Sequence, residues 1–316
     1  GASVTLASVE RGFSRVTMTD GSGKFMFTAV PLGRYSVTVK IPNFETLTLS
    51  NNLVEAERTT SLNVAMKVAP VETSTMVVGD TPIVDATNQT QETRVRLEEF
   101  AKLAVARNYQ ALIGLAPGVV GTGNVNAHGA LSSNNIFMFD GINTTDPTTG
   151  TFGSNMNFEA IQEVVVRTST AGVEYGRGTG AIVDVITRSG TNRLGGSFKY
   201  IAANDNWNSQ NTSASEVSGE SLARTKFDQL NPTYSGTIGG PIARDRMWFF
   251  LAYEQARTTS PEQQTNAAPG FANQTYQQTT TSPFWTLRLT TQVARNQSLW
   301  FKYSTAPTDG FVIDYW

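Results

Sequence analysis

Gly196-Ser197-Phe198-Lys199-Tyr200-Ile201-Ala202 sets Gly, Phe, Tyr and Ala on one side of an extended chain and Ser, Lys and Ile on the other. The same two-residue period returns three more times, and a fourth strand-like segment is apolar throughout. Tyr234, Gly236 and Ile238 alternate with Ser235 and Thr237, and Trp285, Leu287 and Leu289 alternate with Thr286, Arg288 and Thr290. Leu299, Phe301 and Tyr303 alternate with Trp300 and Lys302, while Arg246 to Tyr253 is a continuous apolar and aromatic run. Strands of about ten residues, apolar outward and polar inward, with aromatics near their ends, are the pattern of a transmembrane β-barrel. The polar stretches Asn204 to Gln229 and Thr258 to Thr281 are then expected as long extracellular loops. Gly239 to Arg246 is expected as the short periplasmic turn between the second and third strands.

Composition agrees with long strands and polar turns. Charged residues make up 16% of the 316 residues, against roughly 25% in a soluble globular protein. The hydrophobic share, 39%, does not rise to replace them; Gly, Thr, Ser and Asn do. A formal net charge of -2 leaves no basic footprint, so nucleic acid is not expected as a partner. With no cysteine there is no thiolate metal site, cysteine nucleophile or disulfide. No apolar run approaches the roughly 18 residues of a spanning helix, so a membrane form has to be a barrel. The chain opens at Gly1 without an export signal, which is expected to have been removed or left out.

Upstream of the barrel pattern the chain divides into three. Residues 1–67 read as short strands at Val4 to Leu6, Ser14 to Thr19, Lys24 to Thr28, Tyr35 to Lys40 and Thr60 to Met66, with a tight turn at Asp20-Gly21-Ser22-Gly23. Residues 68–96 form a low-aromatic linker. From Leu97 the spacing of Leu97, Phe100, Ala101, Leu103 and Ala104 predicts a helix, and a second covers Tyr109 to Leu115 and stops at Pro117-Gly118. Strand-like runs follow at Ile136 to Phe139, Val164 to Arg167 and Ala181 to Thr187.

Thr19-Asp20-Gly21-Ser22-Gly23-Lys24-Phe25-Met26-Phe27, Val30-Pro31-Leu32-Gly33-Arg34-Tyr35 and Ile41-Pro42-Asn43-Phe44 resemble the carboxypeptidase regulatory-like domain, a transthyretin-like β-sandwich. The match begins already inside that domain, so its first strand is expected to be missing. A longer resemblance runs through Arg107-Asn108-Tyr109-Gln110, Leu115 to Val119, Asn134-Asn135, Phe139-Asp140-Gly141-Ile142-Asn143, Phe158 to Val164, Glu174-Tyr175-Gly176-Arg177-Gly178-Thr179-Gly180 and Ile186 to Asn192. In that order these resemble the plug domain of TonB-dependent receptors, over residues 97–192. A regulatory-like domain ahead of a plug is the arrangement of the Oar-like group. The chain departs from the family at Leu103-Ala104-Val105-Ala106, where a Pro-Leu-Asn-Gly type of turn is usual, and the first helix is expected to run further there.

The resemblance implies a mainly β protein: a sandwich, a small α/β plug, and from residue 193 to 316 the leading strands of a barrel. Plugged transporters close with about 22 strands, and about five are present, so the chain is expected to be a fragment. It implies import or export of a large or scarce substrate (a peptide or protein, a siderophore, or a glycan) through outer-membrane lipid. Energy would come from a TonB-type protein in the periplasm. Val71-Glu72-Thr73-Ser74-Thr75-Met76-Val77-Val78 is the candidate TonB box, an extended segment suited to strand addition, although a plain linker strand accounts for it slightly better. The alternative at the level of function is a non-transporting structural or adhesion protein, or a subunit of a larger membrane assembly; a soluble β-rich binding module is a third.

No catalytic constellation emerges, and no cofactor is expected. Gly176-Arg177-Gly178-Thr179-Gly180 lacks the Lys and the strand-loop-helix order of a P-loop, so close backbone approach in a packed plug explains its glycines better. Glu174 and Arg177 are candidates for charge pairs with the barrel wall. Asp140, Gly141 and Asn143 with Asp146 lack EF-hand spacing and a terminal Glu, and read as a turn capped by its own side chains rather than a metal site. His128 is the sole histidine, next to no nucleophile elbow, and is a candidate for substrate contact from the plug.

Overall fold

A computed structural model describes residues 1–56, 58–68, 74–77, 91–100, 102–103, 106–121, 123–169, 175–176, 178–207, 228–264, 274–294, 297–305 and 309–311. Three sheets follow one another along the chain.

The first sheet is the N-terminal domain. Its strands are β1 (Ser3–Ser8), β2 (Ser14–Met18), β3 (Gly33–Lys40), β4 (Thr46–Val54) and β5 (Ser74–Val77), in the order β2-β1-β3-β4-β5. Alternation turns Val4, Leu6, Tyr35, Val37 and Val39 to one buried face. Against them lie Phe25, Phe27, Leu62, Val64 and Met66, whose segments were expected to be strands. Neither Lys24 to Thr28 nor Thr60 to Met66 forms one. Their alternating apolar side chains pack on the sheet, but the backbone has no ladder partner. Arg15 holds the first of them instead, donating to the carbonyls of Thr28 at 2.8 Å and Ala29 at 3.2 Å. Tyr35 donates to the Pro31 carbonyl at 2.6 Å, and burial pushes its hydroxyl up to about 12. The Ser74–Val77 part of the candidate TonB box pairs parallel to Thr46–Leu49 and makes the sheet's edge; Val71 to Thr73 and Val78 lie outside the described residues.

The plug sheet is built from β6 (Gln91–Arg96), then past α1 (Leu97–Phe100), α2 (Tyr109–Ile113) and the two-residue ribbon β7 (Val119–Val120) and β8 (Asn126–Ala127). It continues with β9 (Ile136–Phe139), β10 (Ile142–Asn143), β11 (Ile161–Ser169) and β12 (Ile182–Thr187), in the order β10-β9-β12-β11-β6. β6, inside the stretch expected as linker, is its antiparallel edge on β11. α1 does not run on through Leu103: Lys102 and Leu103 close three-residue turns onto Glu99 and Phe100. α2 ends at Ile113 rather than Leu115, because Leu115 and Ala116 again bond three residues back and Gly118 takes φ +76°. Asn108 caps its start, accepting from the Ala111 amide at 2.8 Å. β9 and β12 are buried on both faces, as parallel neighbours should be. Leu112, Ile113, Phe137, Ile161 and Val183 anchor the core.

The last sheet is the barrel wall: β13 (Gly195–Ala203), β14 (Asn231–Ala243), β15 (Met247–Gln264), β16 (Gln274–Ala294) and β17 (Gln297–Thr305), antiparallel in sequence order, with β18 (Asp309–Phe311) on β16. Outward aromatics and inward polar groups alternate as expected in β13, β14, β16 and β17, whereas β15 turns apolar residues to both sides. Trp248, Phe250, Ala252 and Glu254 are buried, whereas Phe198, Tyr200, Trp285, Phe301 and Tyr303 stand exposed on the side that lipid covers. Register sets Tyr200 beside Tyr234 and Tyr253 beside Trp285, with ring centroids 5.2 and 4.3 Å apart. Two loop expectations need correction. β15 and β16 continue through residues 258–264 and 274–281, so the polar Thr and Gln there belong to a long hairpin. Gly239 to Ala243 is still strand, and the turn is only Arg244-Asp245-Arg246, with Asp245 at φ +63°. The fit of α2 into the plug core gives a test. Leu112→Ala should cost the plug about 2–5 kcal/mol, read as a lower urea midpoint in the loss of plug tertiary signal.

Candidate functional site

The charged groups that matter sit where the plug meets the barrel wall. Asp140 follows β9 and adopts φ +52°, which turns its carboxylate toward the wall. It accepts from Arg288 Nη1 at 2.9 Å and Lys302 Nζ at 2.6 Å, from β16 and β17, and from the amide and hydroxyl of Thr187 at 2.9 Å. Arg288 also reaches the Thr187 carbonyl at 2.8 Å. Arg288 and Lys302 are register neighbours, so both project from the wall's inner face at one height. Lys302 lies 5.4 Å from the ring centre of Phe139, and Arg288 5.2 Å from that of Trp300. Burial alone would push the Asp140 carboxyl up. The two cations outweigh it and hold it below the usual carboxylate range.

A second knot lies beside it. Glu159, from the one-turn helix Phe158–Ala160, takes Arg107 at 2.7 Å and Lys199 of β13 at 2.8 Å. Arg107 in turn reaches Glu254 of β15 at 3.0 Å, so one plug guanidinium joins a plug carboxylate to a wall carboxylate. Burial would raise Glu159 too; Lys199 and Arg107 depress it instead. Apolar contact across this interface is modest: Ala160 against Phe250 and Ala252. Next to the knot, Arg107, Gln110, Phe152, Asn155, Glu254 and Phe284 line a cavity of about 240 Å³. That is below the roughly 300–1,000 Å³ of a small-molecule pocket, so it is a gap between plug and wall rather than a substrate chamber.

The expected plug residues fare differently. Asp140 is the centre of the contact, though as an ion pair and not as the self-capped turn. Gly141 donates to Asp184 at 3.2 Å, and Asn143 caps Thr145 at 2.9 Å. Asp146 is the carboxylate that caps its own turn, accepting from Thr148 and Thr149 at 2.8 Å. Among the described residues no group of carboxylates and imidazoles could hold a metal ion. Glu174 and Arg177 lie outside the described residues. Tyr175 packs on Ile136, Met138 and Ile182, and a Cβ on Gly178 would come within 2.7 Å of Ile136 Cδ1, which accounts for glycine there. Gly176 takes φ +58°. His128 is exposed on the plug ribbon at φ +47°, folded over Gly118, and does not line the cavity. Sequence reasoning put Arg288, Lys302 and Lys199 on the polar face by alternation but gave them no partner.

Asp140→Asn keeps the shape and removes the charge, leaving two buried cations uncompensated, at a cost of about 3–5 kcal/mol. In bilayer conductance of the complete protein, the variant should open at lower urea than wild type. The pH dependence has a definite sign. A carboxyl depressed in the folded state contributes fully above its unfolded value of about 4 and loses that contribution as pH falls through the folded one. The Asp140 contribution, read as the difference in opening midpoint between wild type and Asp140→Asn, should therefore be constant from pH 7 to about 5 and shrink only in stronger acid.

Known proteins show the same layout. Residues 1–67 match the carboxypeptidase regulatory-like domain, and residues 186–275 an outer membrane beta barrel domain. The TonB-dependent transporter Oar of Myxococcus xanthus is 28% identical over 267 residues, covering 81% of this chain and 25% of that protein. The chain thus spans about a quarter of the length of the curated relative it matches. The siderophore receptor PirA of Acinetobacter baumannii superposes with a TM-score of 0.52 at 19% identity, over 70% of this chain and 32% of that one. The outer membrane transporter YddB of Escherichia coli gives 0.52 at 16%, over 69% and 33%. In domain content and fold, the chain resembles the regulatory-like domain, plug and barrel strands of outer-membrane TonB-dependent receptors.

Proposed function

We propose that this chain is the gating part of an active transporter, in which a TonB-type periplasmic protein grips the segment around Ser74–Val77 and draws the plug away from the wall. The observation that carries the reading is the ionic character of the plug–wall contact. Asp140 with Arg288 and Lys302, and Glu159 with Arg107 and Lys199, hold the plug by groups that water can re-solvate as the plug moves. A continuous apolar seam would offer no such exchange. The described segment at Ser74–Val77 is extended and lies at a sheet edge, a form suited to strand addition. The relatives are transporters and receptors, and a siderophore is the cargo named for one of them. For this chain, a siderophore, a peptide or protein, and a glycan are the candidate cargoes, taken up from above the plug, with exposed His128 as a candidate contact.

The test is uptake of an iron-loaded siderophore, a labelled oligopeptide and a labelled glycan by cells making the complete protein, with and without the TonB-type protein. One of them should accumulate only when it is present. Thr75→Pro removes a backbone donor from the gripped strand and should cut that accumulation to the level without the energising partner, at unchanged outer-membrane abundance. Accumulation of none, or equal accumulation without the partner, would sink the transport reading.

A further inference from the structure

The regulatory-like domain is joined to both the barrel wall and the plug, and the two joints differ from the plug–wall contact. At the wall, the turn between β1 and β2 carries Arg11 and Gly12 into the barrel mouth beside the Arg244–Arg246 turn. Trp248, the first inward residue of β15, is 1% exposed and belongs to the domain's own core with Val4, Phe13 and Tyr35. Its indole N–H donates to Asn192 Oδ1 at 2.8 Å. The Asn192 amide donates to the Glu10 carbonyl at 3.0 Å, and Arg11 donates to the carbonyl of Gly190 at 3.4 Å. At the plug, Leu32 and Ala56 pack against Val165 and Ile186. Arg94 of β6 reaches the Ala56 carbonyl at 2.8 Å, and Arg96 pairs with Glu55.

We propose that the regulatory-like domain is a clamp on the periplasmic mouth, binding plug and wall at once, so that it has to leave Trp248 before the plug can move. The plug–wall contact is mostly ionic, with Ala160 against Phe250 and Ala252 as its small apolar part, whereas the clamp buries Trp248 among Val4, Phe13 and Tyr35 at the wall and Leu32 and Ala56 against Val165 and Ile186 at the plug. Entering water weakens the ion pairs much more than the buried apolar joints. Wetting the lumen therefore leaves the plug held from below. β5 belongs to the clamp's sheet, so a pull on it would load the clamp first; that step alone rests on the transport reading above.

A cysteine pair tests the clamp without any substrate. A Cβ on Gly12 would lie 3.1 Å from Cγ of Asp245, one bond from that residue's own Cβ. This is within reach of the Cβ separation of about 3.5–4.5 Å that a disulfide needs. The chain has no cysteine of its own to compete. Gly12→Cys with Asp245→Cys is made in the complete protein, and opening by urea is followed as KCl conductance in a planar bilayer, oxidised and then reduced. Because one variant is compared with itself, strain at these two positive-φ sites cancels. The oxidised form should open at a midpoint higher by about 1 M, returning on reduction, and Arg11→Ala should open below wild type. Equal midpoints in the oxidised and reduced states, or failure of the pair to crosslink in the folded protein, would overturn the clamp. Transport could fail its own test while this one succeeds, since conductance needs neither cargo nor an energising partner.

Discussion

A carboxylate inside a membrane barrel has to be compensated, and Asp140 meets that demand with two cations from the wall. Each ion gives up several kcal/mol of hydration on burial, and their mutual attraction roughly repays it. The net gain is therefore small, but removing either side is expensive. Such a contact fixes where the plug sits without welding it in place. Thr187 donates from the plug itself, by amide and hydroxyl, so Asp140 is held in the right orientation before the wall is considered. The arrangement is specific at low net cost.

The two faces of the wall strands follow from the same constraint. Lipid accepts no unpaired polar group, so the side facing it carries Phe198, Leu299 and Phe301, while Lys199, Glu254, Arg288 and Lys302 go inward. This is why the wall was legible in the sequence. The period of two placed Lys199, Arg288 and Lys302 inside from residue types alone. Their partners were not legible, because Asp140 is 148 residues from Arg288 and 162 from Lys302. Alternation reports a direction, and only the fold reports what lies in that direction. The plug's motif at Phe139-Asp140-Gly141 marked the right residue, but local turn chemistry offered a sufficient local explanation and concealed the longer-range one.

The N-terminal domain shows where periodicity misleads in the opposite sense. Lys24 to Thr28 and Thr60 to Met66 alternate well and half-bury Phe25, Phe27, Leu62, Val64 and Met66, yet they form no ladder. Alternation measures a half-buried extended chain, and pairing is a separate condition. β4 was missed for the converse reason. Asn51 and Asn52 interrupt its pattern, Asn51 takes φ +65°, and the ladder with β3 shifts register there. Asn52 is buried nonetheless, because its amide donates to the carbonyls of Tyr35 and Leu49 at 3.2 and 2.9 Å. β6 was hidden in an apparent linker because its six residues are mostly polar and charged. Its strand character comes from β11, where Arg94 meets Glu163 at 3.3 Å.

That last pair bears on the order in which the molecule can come apart. Glu163 is pushed above the usual carboxylate range by burial, which Arg94 offsets only in part. Its charged form is therefore disfavoured in place, the reverse of Asp140 and Glu159, and stability is lost as pH rises through its folded value. The β6 edge of the plug thus holds an imperfectly compensated carboxylate, while the wall contact holds well-compensated ones. Yet Arg94 also bonds Ala56, and Arg96 also bonds Glu55, so β6 is reinforced from the regulatory-like domain. Undocking would remove Arg94 and Arg96 from Ala56 and Glu55 and leave β6 held by its ladder with β11, by Val95 in the plug core and by ion pairs within the plug. The β6 edge and the domain that covers it are thereby coupled.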